Sequence, residues 1–174
     1  QEWMKRAVFA VNATLPEITF TIWPLYARLV SHALTCALWI EQVPLVTPEA
    51  TRLLNQTGRY LSEQARYREA KSLFVRALAI REQQLGFMHV DTAQSLNNLA
   101  GLYKNLGKYP QAEPLYERAL AIRERLLGDH PDTARSLNNL AELYVDQGKY
   151  AQAEPLLKRA LAIDEELQIG RAHV

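Results

Sequence analysis

The sequence predicts an all-α chain of repeated antiparallel helix pairs, preceded by two additional helices. Three observations carry that expectation. The segments "EAKSLFVRALAIREQQLG" (69–86), "QAEPLYERALAIRERLLG" (111–128) and "QAEPLLKRALAIDEEL" (152–167) superpose at shifts of 42 and then 41 residues. The stretches before them superpose as well: "LLNQTGRYLSEQARY" (53–67), "SLNNLAGLYKNLGKY" (95–109) and "SLNNLAELYVDQGKY" (136–150). In both sets apolar residues recur with helical spacing, and self-similarity at this period marks a repeat architecture.

Residues 1–46 lie outside the repeat and read as two helices around "LPEITFTIWP", with Pro16 and Pro24 bounding the connection. Trp23 and Pro24 open the second helix, which runs to about Glu41. Its run "LYARLVSHALTCALWI" is interrupted by Arg28 and His32 and falls short of the roughly 20 residues that span a bilayer. "MKRAVFAVNA", from Met4, mimics a signal peptide, but the apolar stretch is too short for one. Opening on Gln1, the chain is expected to begin inside a longer protein.

Three repeat units follow, at 47–86, 87–128 and 129–168. In the third, Leu137, Leu140, Ala141 and Tyr144 form the stripe of a first helix. "DQGKY" breaks it, with Gly148 expected at the C-cap. Ala153, Leu156, Leu157, Ala160, Leu161 and Ile163 make the apolar face of a second helix. Pro155 is expected in its first turn, where a missing N–H costs little. Between units, "GDHPD" turns the chain, with Gly128 after one helix and Pro131 opening the next. The one-residue slip between "GFMHVDTA" and "GDHPDTA" falls in this loop, where length changes are tolerated. Residues 169–174 break the pattern and resemble one reading frame of a sequencing-library adapter. They are set aside as a non-native tail.

The pattern resembles the tetratricopeptide repeat in its longer form of about 42 residues, found in kinesin light chains. Small residues occupy the family's close-crossing positions at Ala141, Ala153 and Ala160, at Ala100, Ala112 and Ala119, and at Gly58, Ala70 and Ala77. Aromatic positions match at Tyr103, Tyr109, Tyr144 and Tyr150. Unit 1 departs most, with Thr57 and Leu61 where the others carry Leu and Tyr. The resemblance implies a right-handed α-solenoid whose curvature creates a concave binding surface. Separately, "RAVFAVNATLPE" through "PEATRLLNQTGRYL" resembles the segment that joins nucleotide-binding modules to such arrays in bacterial signalling ATPases of the NB-ARC class. That similarity implies the C-terminal part of a cytoplasmic signal-transduction protein.

Catalytic constellations are not found in the sequence. "GLYKNLGKY" offers Gly101, Gly107 and Lys108, but a phosphate loop requires four residues between its glycines and Ser or Thr after the lysine. His32, His89, His130 and His173 have no metal-ligand spacing with one another or with Cys36. His89 and His130 occupy equivalent loops and read as turn or capping residues, and Cys36 reads as a core thiol. The sequons at Asn12 and Asn55 read as chance matches, and the charge runs "RERLL" and "DEEL" as solvated helix faces. With 20 basic and 19 acidic residues, a broad nucleic-acid footprint is not expected. Neither enzyme activity, cofactor, metal nor membrane association is expected.

The candidate site comes from helix geometry. Opposite the leucine stripe of the first helices stand Arg135, Asn138, Asn139, Glu142 and Asp146 in unit 3. Unit 2 places Gln94, Asn97, Asn98, Gly101 and Asn105 there, and unit 1 places Arg52, Asn55, Gln56, Arg59 and Glu63. In the family these positions line a groove for an extended peptide, whose backbone is held by asparagine amides that both donate and accept. The alternative is that one Asn of each "NN" pair bonds a neighbouring helix and stiffens the stack. Two functions stay open: a protein- or peptide-binding scaffold, and an assembly element that self-associates through an apolar repeat end.

Overall fold

The computed structural model describes residues 2–14, 23–42 and 47–172. Among them are eight helices and no strand: α1 (Glu2–Thr14), α2 (Trp23–Gln42), α3 (Pro48–Glu63), α4 (Tyr67–Leu85), α5 (Val90–Asn105), α6 (Tyr109–Leu127), α7 (Pro131–Asp146) and α8 (Tyr150–Ala172). The segment after α1 that holds Pro16, expected to connect α1 to α2, lies outside the described residues. The chain divides into two compact units, Gln1–Phe87 and Met88–Val174.

In the first unit α3 and α4 form a helical hairpin, and α1 and α2 both pack on α3. Helix α2 buries Ala33, Cys36, Ala37 and Ile40, one stripe at helical spacing. Cys36 is therefore a core thiol, and burial raises its pKa. Trp3 of α1 meets Trp39 of α2 edge to face, with ring centroids 4.9 Å apart. Thr47 caps α3 by accepting from the Ala50 amide at 3.2 Å, with Pro48 in the first turn. The hairpin crosses closely at Gly58, where a Cβ would stand 2.7 Å from the Phe74 ring. No side chain larger than hydrogen fits there without moving a buried aromatic.

The second unit holds two hairpins, α5–α6 and α7–α8, with α6 and α5 both against α7. Leu137, Leu140, Ala141, Leu143 and Tyr144 centre its core, joined by Tyr116, Leu120, Ala153, Ala160 and Ile163. This is the stripe and the small-residue set that the repeat pattern defines. His89 and His130 cap α5 and α7, each Nδ1 accepting at 3.1 Å from the amide two residues on.

Two sequence expectations shift. Helix α8 starts at Tyr150, because the Lys149 carbonyl accepts from Gln152 and Ala153 at 3.0 and 3.2 Å. Pro155, and equally Pro114 in α6, therefore sits inside the helix, beyond the first turn. The apolar face begins later than the backbone does, so reading it placed the helix start too late. Helix α8 also continues to Ala172, past Gln168 where the periodicity ends.

Candidate functional site

Helices α5 and α7 lie side by side and parallel. Three hydrogen bonds link them in the same order along both helices. Arg135 donates to Gln94 Oε1 at 3.1 Å, Asn97 Nδ2 to Ser136 Oγ at 3.1 Å, and Lys104 Nζ to Glu142 Oε2 at 2.7 Å. By helical period, the polar face beside these bonds, the candidate trough, takes Gln94, Asn98, Gly101 and Lys104 from α5 and Arg135, Asn138, Asn139, Glu142 and Asp146 from α7. The helical periods explain the grouping: positions 135, 138, 142 and 146 recur on one face, as do 94, 98, 101 and 104. Asn98, Asn138 and Asn139 are half-buried, with Asn105 exposed at the end of α5.

Asn97 behaves differently from its neighbour. It is buried, and its amide nitrogen is committed to Ser136, which is the stack-stiffening alternative for the first Asn of the pair. Its Oδ1 is buried without a hydrogen-bond partner. Gln94 Nε2 donates to Asn98 Oδ1 at 3.1 Å, so the trough wall is itself a hydrogen-bonded row.

Beneath the N-terminal end of the trough lies Arg123, from α6. It is fully buried, at 0% exposure, although the run "RERLL" that it opens reads as a solvated face. Helix α7 packs on α6 and covers the position. Arg123 donates to the Asp132 carbonyl (3.0 Å), Ser136 Oγ (2.8 Å) and Gln94 Oε1 (2.8 Å). All three acceptors are neutral oxygens. Burial, and then the nearby Arg135, pull its pKa down to about 10, with Asp132 acting the other way. Arg81 holds the same repeat position in α4, so the recurrence of an arginine at the end of an apolar stripe was a legible signal for a structural cation. Lys104 and Ser136 also belong to the site and were missed. Nothing in one repeat singles them out, since their partners lie 38 and 39 residues away.

In the first unit, two candidate residues of α3 are engaged within the unit. Arg52 donates to the Asn12 carbonyl at 3.2 Å and to its side-chain oxygen at 3.4 Å, tying α3 to α1. Asn55 is buried and donates to the Thr51 carbonyl at 3.0 Å, while Arg59 and Glu63 are exposed. Both sequon asparagines, Asn12 and Asn55, are only 6% exposed, so neither can carry a glycan in the folded chain.

Among the described residues no group of three His, Cys, Asp or Glu side chains is placed to hold a metal ion. No described helix is long and apolar enough to cross a membrane. Chemically, the trough can donate, accept and pair charge.

Comparison with known proteins places this geometry. Two tetratricopeptide repeat profiles match, at residues 51–91 and 91–166, together more than half of the chain. No curated protein matches. Among solved structures, BtubC (BKLC) from P. vanneervenii is 21% identical, with a TM-score of 0.75 over 95% of this chain and 72% of its own. A putative kinesin light chain from Podosopora anserina, with nearly identical TPR-like repeats, is 21% identical, with a TM-score of 0.69 over 96% and 86%. A Rap protein in complex with Competence and Sporulation Factor is 17% identical, with a TM-score of 0.73 over 97% of this chain and 45% of its own. Repeat period, helix pairs and profiles agree: the chain belongs to the tetratricopeptide repeat family.

Proposed function

We propose that this chain is a non-catalytic scaffold that binds a protein or an extended peptide in the α5–α7 trough. The observation that carries the reading is the row of half-buried amides flanked by exposed charges on two parallel, cross-linked helices. Such a wall offers donors and acceptors at fixed positions without requiring the helices to reorganise, which lowers the ordering cost of binding. Tetratricopeptide repeats are typically non-catalytic scaffolds, and one neighbour in fold, the Rap protein, is held in complex with a factor. The finer reading is that the scaffold is the sensor or partner-recruiting part of a larger cytoplasmic signal-transduction NTPase. It rests on the similarity of the first 60 or so residues to the NB-ARC linking segment. A phosphate-binding loop upstream in the full-length gene would support that context, and a gene without one would remove it.

The binding reading is tested with peptides selected on this chain from a random library. Replacing Asn98 and Asn138 together by Ala is expected to weaken them several-fold while the melting temperature stays within a few degrees. Unchanged affinity in the double variant would discard the trough.

One observation favours a second reading, assembly through the α8 face. Tyr116 and Leu120 of α6 are buried under α7, whereas Leu157 and Leu161, at the same positions of α8, are 43% and 57% exposed. An open face of the kind that α7 covers can take another helix pair or another copy.

A further inference from the structure

Charge is not spread evenly along the α5–α7 trough. At its N-terminal end two guanidinium groups, Arg123 and Arg135, share one neighbouring carboxylate, Asp132, whose Oδ1 takes Arg135 at 2.7 Å. Arg123 meets only neutral oxygens, and its Nε is buried without a partner. Asp91, also in this region, stands 3.9 Å from His89, which caps α5. At the C-terminal end the sign inverts. Lys104 is a single base between Glu142 at 2.7 Å and Asp146 at 3.8 Å. The lysine is largely covered, while the two carboxylates are 62% and 43% exposed. Tyr116, buried nearby, has its pKa raised, first by burial and then by Glu142 and Asp146.

The backbone adds to this gradient. Because α5 and α7 are parallel, the N-terminal turns of both, with their partial positive charge, stand at the arginine end, and the C-terminal turns of both stand at the Asp146 end. Arg123 cannot touch a ligand, but its charge acts through a buried medium where screening by salt is weak. Between the poles lie the neutral amides of Asn98 and Asn138.

We propose, on the peptide-binding reading above, that the trough selects an extended peptide with an acidic side chain for Arg135 and a basic side chain for Glu142 and Asp146. Arg135 is separated from Glu142 and Asp146 by about 10–16 Å of helix, which an extended peptide crosses in about three to five residues. The ligand's acidic and basic residues therefore stand that far apart, and its charges determine which end of the trough each part occupies.

The test pans a displayed library of random 12-residue peptides on the whole chain, then on Arg135→Ala and on Glu142→Gln/Asp146→Asn. All three positions are partly exposed, so the variants are expected to fold, and circular dichroism checks that they do. Binders of the parent chain are expected to carry an acid–base pair three to five residues apart. The arginine variant should lose the selection for the acid, and the double variant the selection for the base. Neutralising either peptide charge should weaken binding to the parent about fivefold, the size expected of a half-exposed ion pair. Binders without the pair, or with pair enrichment unchanged in both variants, overturn the charge polarity and leave peptide binding intact. A chain that yields no binders overturns both.

Discussion

Ala65 adopts a left-handed conformation, with φ of 57°, in the turn between α3 and α4. The same turn position in the next two units holds Gly107 and Gly148, with φ of 67° and 74°. All three turns close alike: the amides of Arg66, Lys108 and Lys149 return to the carbonyls of Leu61, Tyr103 and Tyr144 at 2.8–2.9 Å. The first unit thus imposes on an alanine a backbone that only glycine adopts freely. Ala65→Gly is expected to raise stability by about 0.5–1 kcal/mol, the relieved strain being partly offset by greater freedom of the unfolded chain. Chemical denaturation reads this directly, and a variant less stable than the parent would show that the turn is not strained. Gly58 shows the opposite adjustment, a residue shrunk to admit a ring. The equivalent positions of the next two units hold Ala100 and Tyr116, and Ala141 and Leu157.

At the scale of helices, the α6–α7 contact is an apolar stripe closed by one buried cation. Arg123 satisfies a carbonyl, a hydroxyl and an amide oxygen from two helices at once. Truncation to Ala would open a cavity and remove the donor that joins these oxygens, although Ser136 and Gln94 keep Asn97 and Arg135 as donors. Arg123→Ala is therefore expected to cost about 3 kcal/mol, comparable to removing one member of a buried polar set. Equilibrium unfolding in urea measures it, and a loss below 1 kcal/mol would show the guanidinium to be incidental. The third unit carries Asp164 at this position, exposed to solvent. A helix pair or second copy docked on α8 would meet a carboxylate where α7 meets a guanidinium. Neighbouring helices are also linked by ion pairs at the surface, Lys149 with Glu113 at 3.4 Å and Arg159 with Glu124, which contribute little each.

For the molecule as a whole, the open α8 face predicts association. Light scattering over a dilution series is expected to show mass rising with concentration, and Leu157→Gln with Leu161→Gln to return the chain to a monomer. A parent chain that stays monomeric at all concentrations would count against assembly through this face. The fold itself was highly legible in the sequence. Three concordant copies indicated helix type, order and most inward faces, because a helix buries its apolar stripe and the stripe recurs every 42 or 41 residues. Leu157 and Leu161 of the α8 stripe nevertheless stay exposed. Helix starts were less legible, as at Pro155, because exposed residues such as Tyr150, Ala151 and Gln152 open the helix before the buried stripe begins.

The candidate site was legible only as a surface. Periodicity placed Arg135, Asn138, Glu142 and Asp146 on one face of α7, and Gln94 and Asn98 on one face of α5, from local geometry alone. Which of those residues remain available was decided by tertiary packing. Asn97 turned to Ser136, Arg52 to Asn12, and Arg123 disappeared beneath α7, each through partners 9 to 40 residues distant in sequence. A helix's own period dictates where its side chains point. Only the neighbouring helices determine which of them keep contact with solvent, and those neighbours also bring Lys104 between two carboxylates on another helix.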